Sequence, residues 1–201
     1  MLEKGGIGMK NRLIVVEGLD GTGKTTLISS LCKELDATLI STPPEMFDSR
    51  LYEGELREFF DSVEQSRRRE YYRSANFLAS ELALIALQKS HVIMDRYWPS
   101  TAAFSAMDES NPEWEELGTF PKGFVRPDAI ILLTVSEEER ENRLKNRGEL
   151  LTDEEIRLSS KKEARLRVLE GLRAFNPIEI NTTNIDPKGV LKRVLIEIDF
   201  F

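Results

Sequence analysis

The sequence predicts an α/β fold: a five-stranded parallel sheet flanked by helices on both faces, with a short lid. Three observations lead there. Strand-like and helix-like runs alternate from residue 12 to residue 198. The run Asp128-Ala129-Ile130-Ile131-Leu132-Leu133-Thr134-Val135 is apolar without alternation, as in a strand covered on both faces. A glycine-rich turn, Gly18-Leu19-Asp20-Gly21-Thr22-Gly23-Lys24-Thr25, joins the first strand-like run to the first helix-like run.

Taken in order, Arg12 to Glu17 is the first strand, and the turn after it has the spacing G-x-x-x-x-G-K-[ST]. Strand, glycine-rich turn and helix in that order make a phosphate-binding P-loop, hence a P-loop NTPase fold. Glycines let backbone N–H groups converge on phosphate oxygens. The helix N-terminus adds partial positive charge. Gly18, Leu19, Asp20, Gly21, Thr22, Gly23, Lys24, Thr25 and Thr26 are the expected nucleotide-binding residues. Lys24 is expected to reach the β- and γ-phosphates, and the Thr25 hydroxyl to hold Mg²⁺.

A helix follows over 25–32, then a short β-branched strand over 37–41, ended by Thr42-Pro43-Pro44, where the prolines forbid helix. Residues 51–89 read as helix almost throughout, with Leu56, Phe59, Phe60 and Val63 at 3–4 spacing and a broad apolar face from Phe77 to Leu87. The basic run Arg67 to Arg73 lies between; it is either a solvated face or one turned toward phosphate. His91 to Asp95 is a strand carrying an acid at its C-terminal end, followed at once by Arg96 and Tyr97. Residues 98–107 read as helix, and 108–126 as a long loop with Pro112, Trp114, Gly118, Pro121 and Gly123. After the strand at 128–135, Ser136-Glu137-Glu138-Glu139 opens a helix as a capping box, running to Gly148. Residues 154–174 are helical again, 177–181 a last strand, and 187–198 a last helix.

The 201 residues suit one domain, residues 12–201, after an N-terminal arm at 1–11, with a lid at about 143–154. The net charge of −7 argues against a nucleic-acid-binding surface. One Cys and one His exclude a disulfide framework or a zinc cluster within the chain. Cys32 falls on the apolar side of its helix and reads as core. No apolar run suits a membrane span, and the first ten residues lack targeting features. The expectation is a cytoplasmic protein acting on small-molecule nucleotides, without nucleic acid or membrane. The apolar face at 77–87 fits a homodimer and fits core packing equally.

In a parallel sheet, ligands bind beyond the C-terminal ends of the strands. The P-loop, the 42–44 loop and Asp95-Arg96 all lie there. The Asn-Lys-x-Asp element by which GTPases read guanine is absent. These features suit phosphoryl transfer to a small acceptor, whose phosphate needs arginine for charge-assisted contacts. Arg143 and Arg147, one turn apart, are placed as lid cations; paired with nearby glutamates, they would be surface charge instead.

Val16 to Thr26 resembles the P-loop of the thymidylate kinase family, and Asp95-Arg96-Tyr97-Trp98-Pro99-Ser100-Thr101-Ala102-Ala103-Phe104 its D-R-Y-x-x-S-x-x-A-[YF] segment. Arg126-Pro127-Asp128 and Arg140 to Gly148 resemble its fourth strand and lid. The resemblance implies transfer of the γ-phosphoryl of ATP, with Mg²⁺, to a pyrimidine nucleoside monophosphate. It implies that Lys24, Asp95, Arg96, Arg143 and Arg147 are the catalytic residues. Arg96 would bind the acceptor phosphate, Asp95 would order the Mg²⁺ shell or the acceptor, and Phe104 would lie against the sugar. Arg73, Tyr72, Asn76, Phe77, Tyr97 and Ser100 complete the expected acceptor site. Because residues 19–22 hold no arginine, the family pattern moves the catalytic cation to the lid, and so to Arg147. Two departures stand out: Ser41-Thr42-Pro43-Pro44-Glu45 lacks the family's arginine, and Phe77 stands where an arginine contacts thymine. Both resemble the mitochondrial-type UMP-CMP kinase branch. The expectation is therefore UMP or CMP (or their deoxy forms) before dTMP, with a deoxynucleoside kinase more distant.

Overall fold

A computed structural model of the chain describes residues 10–44, 59, 65–107, 115–146 and 161–199. Five parallel strands form one sheet: β1 (Leu13–Gly18), β2 (Thr38–Ser41), β3 (Val92–Asp95), β4 (Ala129–Thr134) and β5 (Ile178–Asn181). Their spatial order is β2-β3-β1-β4-β5. Six described helices cover it: α1 (Lys24–Leu35), α2 (Gln65–Ala86), α3 (Trp98–Met107), α4 (Glu137–Asn146), α5 (Lys162–Arg173) and α6 (Pro187–Glu197). This is the parallel α/β architecture expected from the alternating pattern. The elements expected at 51–58, 60–64 and 147–160, which include Arg147 and the lid from residue 147 on, lie outside the described residues.

The two faces of the sheet are buried by different residues of the same strands, as the pleat requires. Leu13, Val15, Val92 and Met94 pack with Ala79, Leu82 and Ala83 of α2 and Trp98 of α3. Ile14, Val16, Ile93 and Ile131 pack with Leu27, Ile28 and Leu31 of α1 and Val190 and Val194 of α6. Every residue of β1 is therefore buried, and its sequence reads as an apolar run except at Glu17. Cys32 is a free thiol packed at the margin of the α1 core, only half-buried. The apolar face expected at 77–87 is divided: Ala79, Leu82 and Ala83 enter the core, whereas Phe77, Leu84 and Ile85 are exposed. Among the described residues, no helix is long and apolar enough to cross a membrane.

Helix ends follow local chemistry. The Ser136 hydroxyl accepts from the Glu139 N–H at 3.3 Å, the first half of a capping box. The second half does not form, because the Glu139 carboxylate is drawn to Arg143 Nε at 2.9 Å and the Ser136 N–H donates to Thr183 instead. At α6, Asp186 caps by accepting from the Gly189 N–H, with Pro187 in the first turn.

The strand order places the site. The connection from β1 runs through α1 to β2 on one side, while β4 and β5 lie on the other. Such a reversal opens a crevice at the C-terminal end of the central strand. Register brings Val16, Asp95 and Ser41 level across β1, β3 and β2, and sets Gly18 beside Leu133. The glycine-rich turn, Arg96 and the Thr42-Pro43-Pro44 turn thus leave the sheet along one edge.

Candidate active site

The turn after β1 is shaped by what glycine permits. Gly18 has φ 147°, and a Cβ there would stand 2.6 Å from the Leu133 carbonyl oxygen of β4. Gly21 has φ 83° and sits against the side chains of Arg140 and Leu144, so α4 docks directly onto the loop. Gly23 caps α1 in a left-handed conformation with no side-chain hydrogen bond. The first-turn N–H groups of α1 are therefore left facing the loop cavity, where an anion can take them.

Inside the loop, Thr22 Oγ1 donates to the Leu19 carbonyl at 2.7 Å, and Lys24 Nζ donates to the same carbonyl at 3.2 Å. Leu19 itself packs with Ala103 and Phe104. The Asp20 carboxylate lies 3.4 Å from Lys24 Nζ and 3.1 Å from Arg96 Nη2. Burial pushes the Asp20 carboxyl up, but the two cations outweigh it and hold it at about 2. Lys24 is pushed below its ordinary value, by burial first and by Arg96 second, with Asp20 and Asp95 opposing. The loop therefore holds one carboxylate between cations from two different elements. A phosphate placed there would meet the same two cations.

Arg96 connects β3 to α3 with φ 61°, the left-handed region. Its N–H donates to the Val16 carbonyl at 3.1 Å. Its guanidinium reaches Ser100 Oγ at 3.2 Å and lies 5.9 Å from the centre of the Phe104 ring. The Arg69 guanidinium lies at the same distance from that ring. Phe104 is thus buried between two cations, both from residues expected to face phosphate or to lie on the basic helix.

The other expected acceptor residues divide. Asn76 is fully buried; its amide donates to Thr101 Oγ1 and to the Tyr72 carbonyl, each at 2.7 Å, and its Oδ1 has no hydrogen-bond partner among the described residues. Arg73 Nε lies 2.8 Å from Glu115 Oε1, a close ion pair without hydrogen-bond alignment. Glu115 comes from the loop before β4 and also accepts from Ser105 of α3. Burial pushes its carboxyl up, against Ser105 and Arg73.

The structure engages three of the expected residues in other contacts. Tyr97 does not face the site: it is fully buried in the core, its hydroxyl donating to the Val125 carbonyl at 3.3 Å, and burial pushes that hydroxyl up to about 12. Successive residues at the strand–helix junction point apart, so Arg96 faces the loop and Tyr97 the core. Phe77 is 56% exposed and meets Phe124 edge-on, because one residue on a helix turns it about 100° from Asn76. Arg143 does not stand free as a lid cation. Its guanidinium donates to Thr182 Oγ1 at 3.1 Å and to the Thr182 carbonyl at 3.0 Å, with longer approaches to the Gly21 and Thr22 carbonyls.

Those Arg143 contacts build a cavity of about 260 Å³ on the outer side of the loop, lined by Thr22, Gly23, Thr26, Arg143, Ile185 and Val190 among others. Its lining combines apolar side chains with the Arg143 guanidinium, beside the first turn of α1. Three residues that carry this geometry are not placed by the sequence: Glu17 behind Arg96, visible only as an acid in an apolar strand, and Thr182 behind Arg143 and Glu115 beside Arg73, which give no signal. Each acts through contacts between residues far apart in the chain.

Comparison with known proteins adds four findings. The family model described as Thymidylate kinase matches residues 16–192. UMP-CMP kinase 2, mitochondrial, from Homo sapiens is 38% identical over 166 residues, 79% of this chain; the chain spans only 36% of that relative's length. A probable thymidylate kinase from Methanococcus vannielii is 27% identical, over 92% of this chain and 93% of its own length. Among solved structures, thymidylate kinase from Candida albicans superposes with a TM-score of 0.69 at 17% identity, covering 95% of this chain and 92% of its own.

Proposed function

The chain belongs to the thymidylate kinase family of nucleoside monophosphate kinases, and from that premise we propose that it transfers the γ-phosphoryl of ATP to a pyrimidine nucleoside monophosphate, with dTMP the preferred acceptor. The observation that carries this reading is the Asp20 carboxylate held between Lys24 and Arg96. It marks an anion position shared by the donor loop and by the element after β3, where two phosphates must meet for transfer.

The roles follow from position. The backbone N–H groups from Gly21 to Thr26 and the Lys24 ammonium receive the donor phosphates. The cavity lined by Arg143, Ile185 and Val190 takes the adenine, with the guanidinium of Arg143 against the ring plane. Arg96 receives the acceptor phosphate, with Phe104 beside the sugar, and Arg73 and Asn76 toward the base. Arg147 is proposed as the cation that closes over the transferring group. The residues present fit Mg²⁺. Thr25 is exposed at the start of α1, and Asp95 ends β3 close enough to Lys24 to oppose, with Asp20, the lowering of its ammonium's pKa. Among the described residues no cluster of three or more acids, Cys or His forms a cage, as suits an ion completed by phosphate and water. When bound, Mg²⁺ neutralises charge on the phosphate oxygens.

The choice of dTMP reverses the preference stated from the sequence. The family description and the Methanococcus vannielii relative support thymidylate. A second reading, UMP or CMP, is favoured by the human relative and by the Thr42-Pro43-Pro44 turn, which carries no arginine. A deoxynucleoside kinase needs a free carboxylate base for a hydroxyl. Of the two carboxylates that could serve, Glu17 and Asp95, Glu17 has both oxygens accepting hydrogen bonds within the fold.

ADP release at saturating ATP, measured with dTMP, dUMP, UMP, dCMP and CMP, tests the reading. The highest kcat/KM is expected with dTMP; a higher value for CMP or UMP would install the second reading. Arg143→Ala is expected to raise KM for ATP about tenfold while leaving KM for the acceptor unchanged, because its contacts lie on the donor side. An equal rise in both constants would remove the adenine assignment.

A further inference from the structure

We propose that Glu17 is the positioning residue of Arg96, holding its backbone through the Tyr97 N–H and its guanidinium through the Ser100 hydroxyl. The proposal rests on the reading of Arg96 as the contact to the acceptor phosphate.

Glu17 is fully buried in the central strand, where its neighbours Leu13 to Val16 are all apolar. A carboxylate there is costly unless its oxygens are satisfied. They are: Oε1 accepts from the Tyr97 N–H at 3.0 Å, and Oε2 from Ser100 Oγ at 2.5 Å. Neither contact is local in sequence. Both reach the turn that carries Arg96.

The backbone comes first. Arg96 adopts φ 61°, a conformation that L-residues resist. The peptide before it is held by the Arg96 N–H donating to the Val16 carbonyl. The peptide after it is held by the Tyr97 N–H donating to Glu17. Consecutive residues of β1 thus pin both sides of the strained residue, one by main chain and one by side chain.

The guanidinium comes second. A serine hydroxyl has one proton and two lone pairs. Ser100 gives its proton to Glu17, so its lone pairs turn to Arg96 Nη1 at 3.2 Å. Asp20 takes Nη2 at 3.1 Å. The fork is therefore set between Ser100 and Asp20 before any ligand arrives. A carboxylate suits this task because it accepts from an N–H and an O–H together. Burial pushes the Glu17 carboxyl up, while Arg96, Ser100 and Tyr97 all oppose that shift, as expected of a group tied to this turn.

The test compares binding of dTMP and of thymidine by titration calorimetry, since only dTMP carries the phosphate. Glu17→Gln is expected to weaken dTMP about tenfold and to leave thymidine within about twofold. Ser100→Ala, which leaves β1 intact should the first variant fold poorly, is expected to show the same pattern. Ser100→Thr, which keeps a hydroxyl, should restore dTMP binding. In an Arg96→Ala background, Glu17→Gln should have no further effect on dTMP. Equal weakening of dTMP and thymidine, unchanged dTMP binding, or additive losses in the double variant would each overturn the positioning role. A wild-type chain that binds none of dTMP, UMP and CMP would overturn the acceptor reading, and this inference with it.

Discussion

Lys24→Ala is expected to lower kcat by about 10²–10³-fold, the loss typical of removing one pre-aimed cationic or hydrogen-bond donor from a site of developing negative charge. The effect is large because the ammonium is already directed into the loop, within 3.4 Å of both the Leu19 carbonyl and Asp20. It is also pushed below its ordinary pKa by burial and by Arg96, so a phosphate oxygen would replace an imperfect environment with a better one. The fold should survive. Asp20 keeps Arg96 as a partner at 3.1 Å, and the Leu19 carbonyl keeps the Thr22 hydroxyl. ADP release and a thermal melt on the same sample check both halves. Activity retained within about threefold would refute the mechanism.

Removing Arg96 should act on the other side of the same anion position. Arg96→Ala is expected to lower kcat/KM for the acceptor about 10³-fold, since bidentate contact to a phosphate is lost while Asp20 turns wholly to Lys24. The left-handed backbone at 96 supplies a control. Alanine keeps the Cβ that makes φ 61° costly, whereas glycine removes it. Arg96→Gly should therefore be more stable than Arg96→Ala by about 1–2 kcal/mol, with activity equally lost. Equal stability would mean that the turn is not strained. Acceptor kinetics equal to wild type in either variant would show that Arg96 does not carry the phosphate.

Much of this molecule was legible in its sequence. The glycine spacing before Lys24 and the unbroken apolar run at 129–134 are local signals, and both elements stand where they were expected. Asp95 and Arg96 were legible because an acid and a base directly after an apolar strand fall at its C-terminal end in a parallel sheet. Side-chain direction was less legible. Tyr97 and Phe77 share motifs with Arg96 and Asn76, yet one is sealed in the core and the other is turned outward to Phe124. Helix spacing marks Arg143 as a lid cation, but Thr182, which claims it, lies thirty-nine residues further on.

The sequence by itself determined the glycine-rich loop with its lysine and threonine, and the parallel sheet that carries it, because these depend on spacing and on buried runs within short windows. Only the tertiary structure decided how Arg96 is held. Glu17, Asp20 and Ser100 come from β1, the P-loop and α3, and strand order with register brings them within hydrogen-bond distance of one turn. A buried glutamate in a strand otherwise apolar was visible in the sequence, but its two partners lie eighty and eighty-three residues away. Hydrogen bonds depend on distance in space to within tenths of an ångström, and no local pattern carries that information.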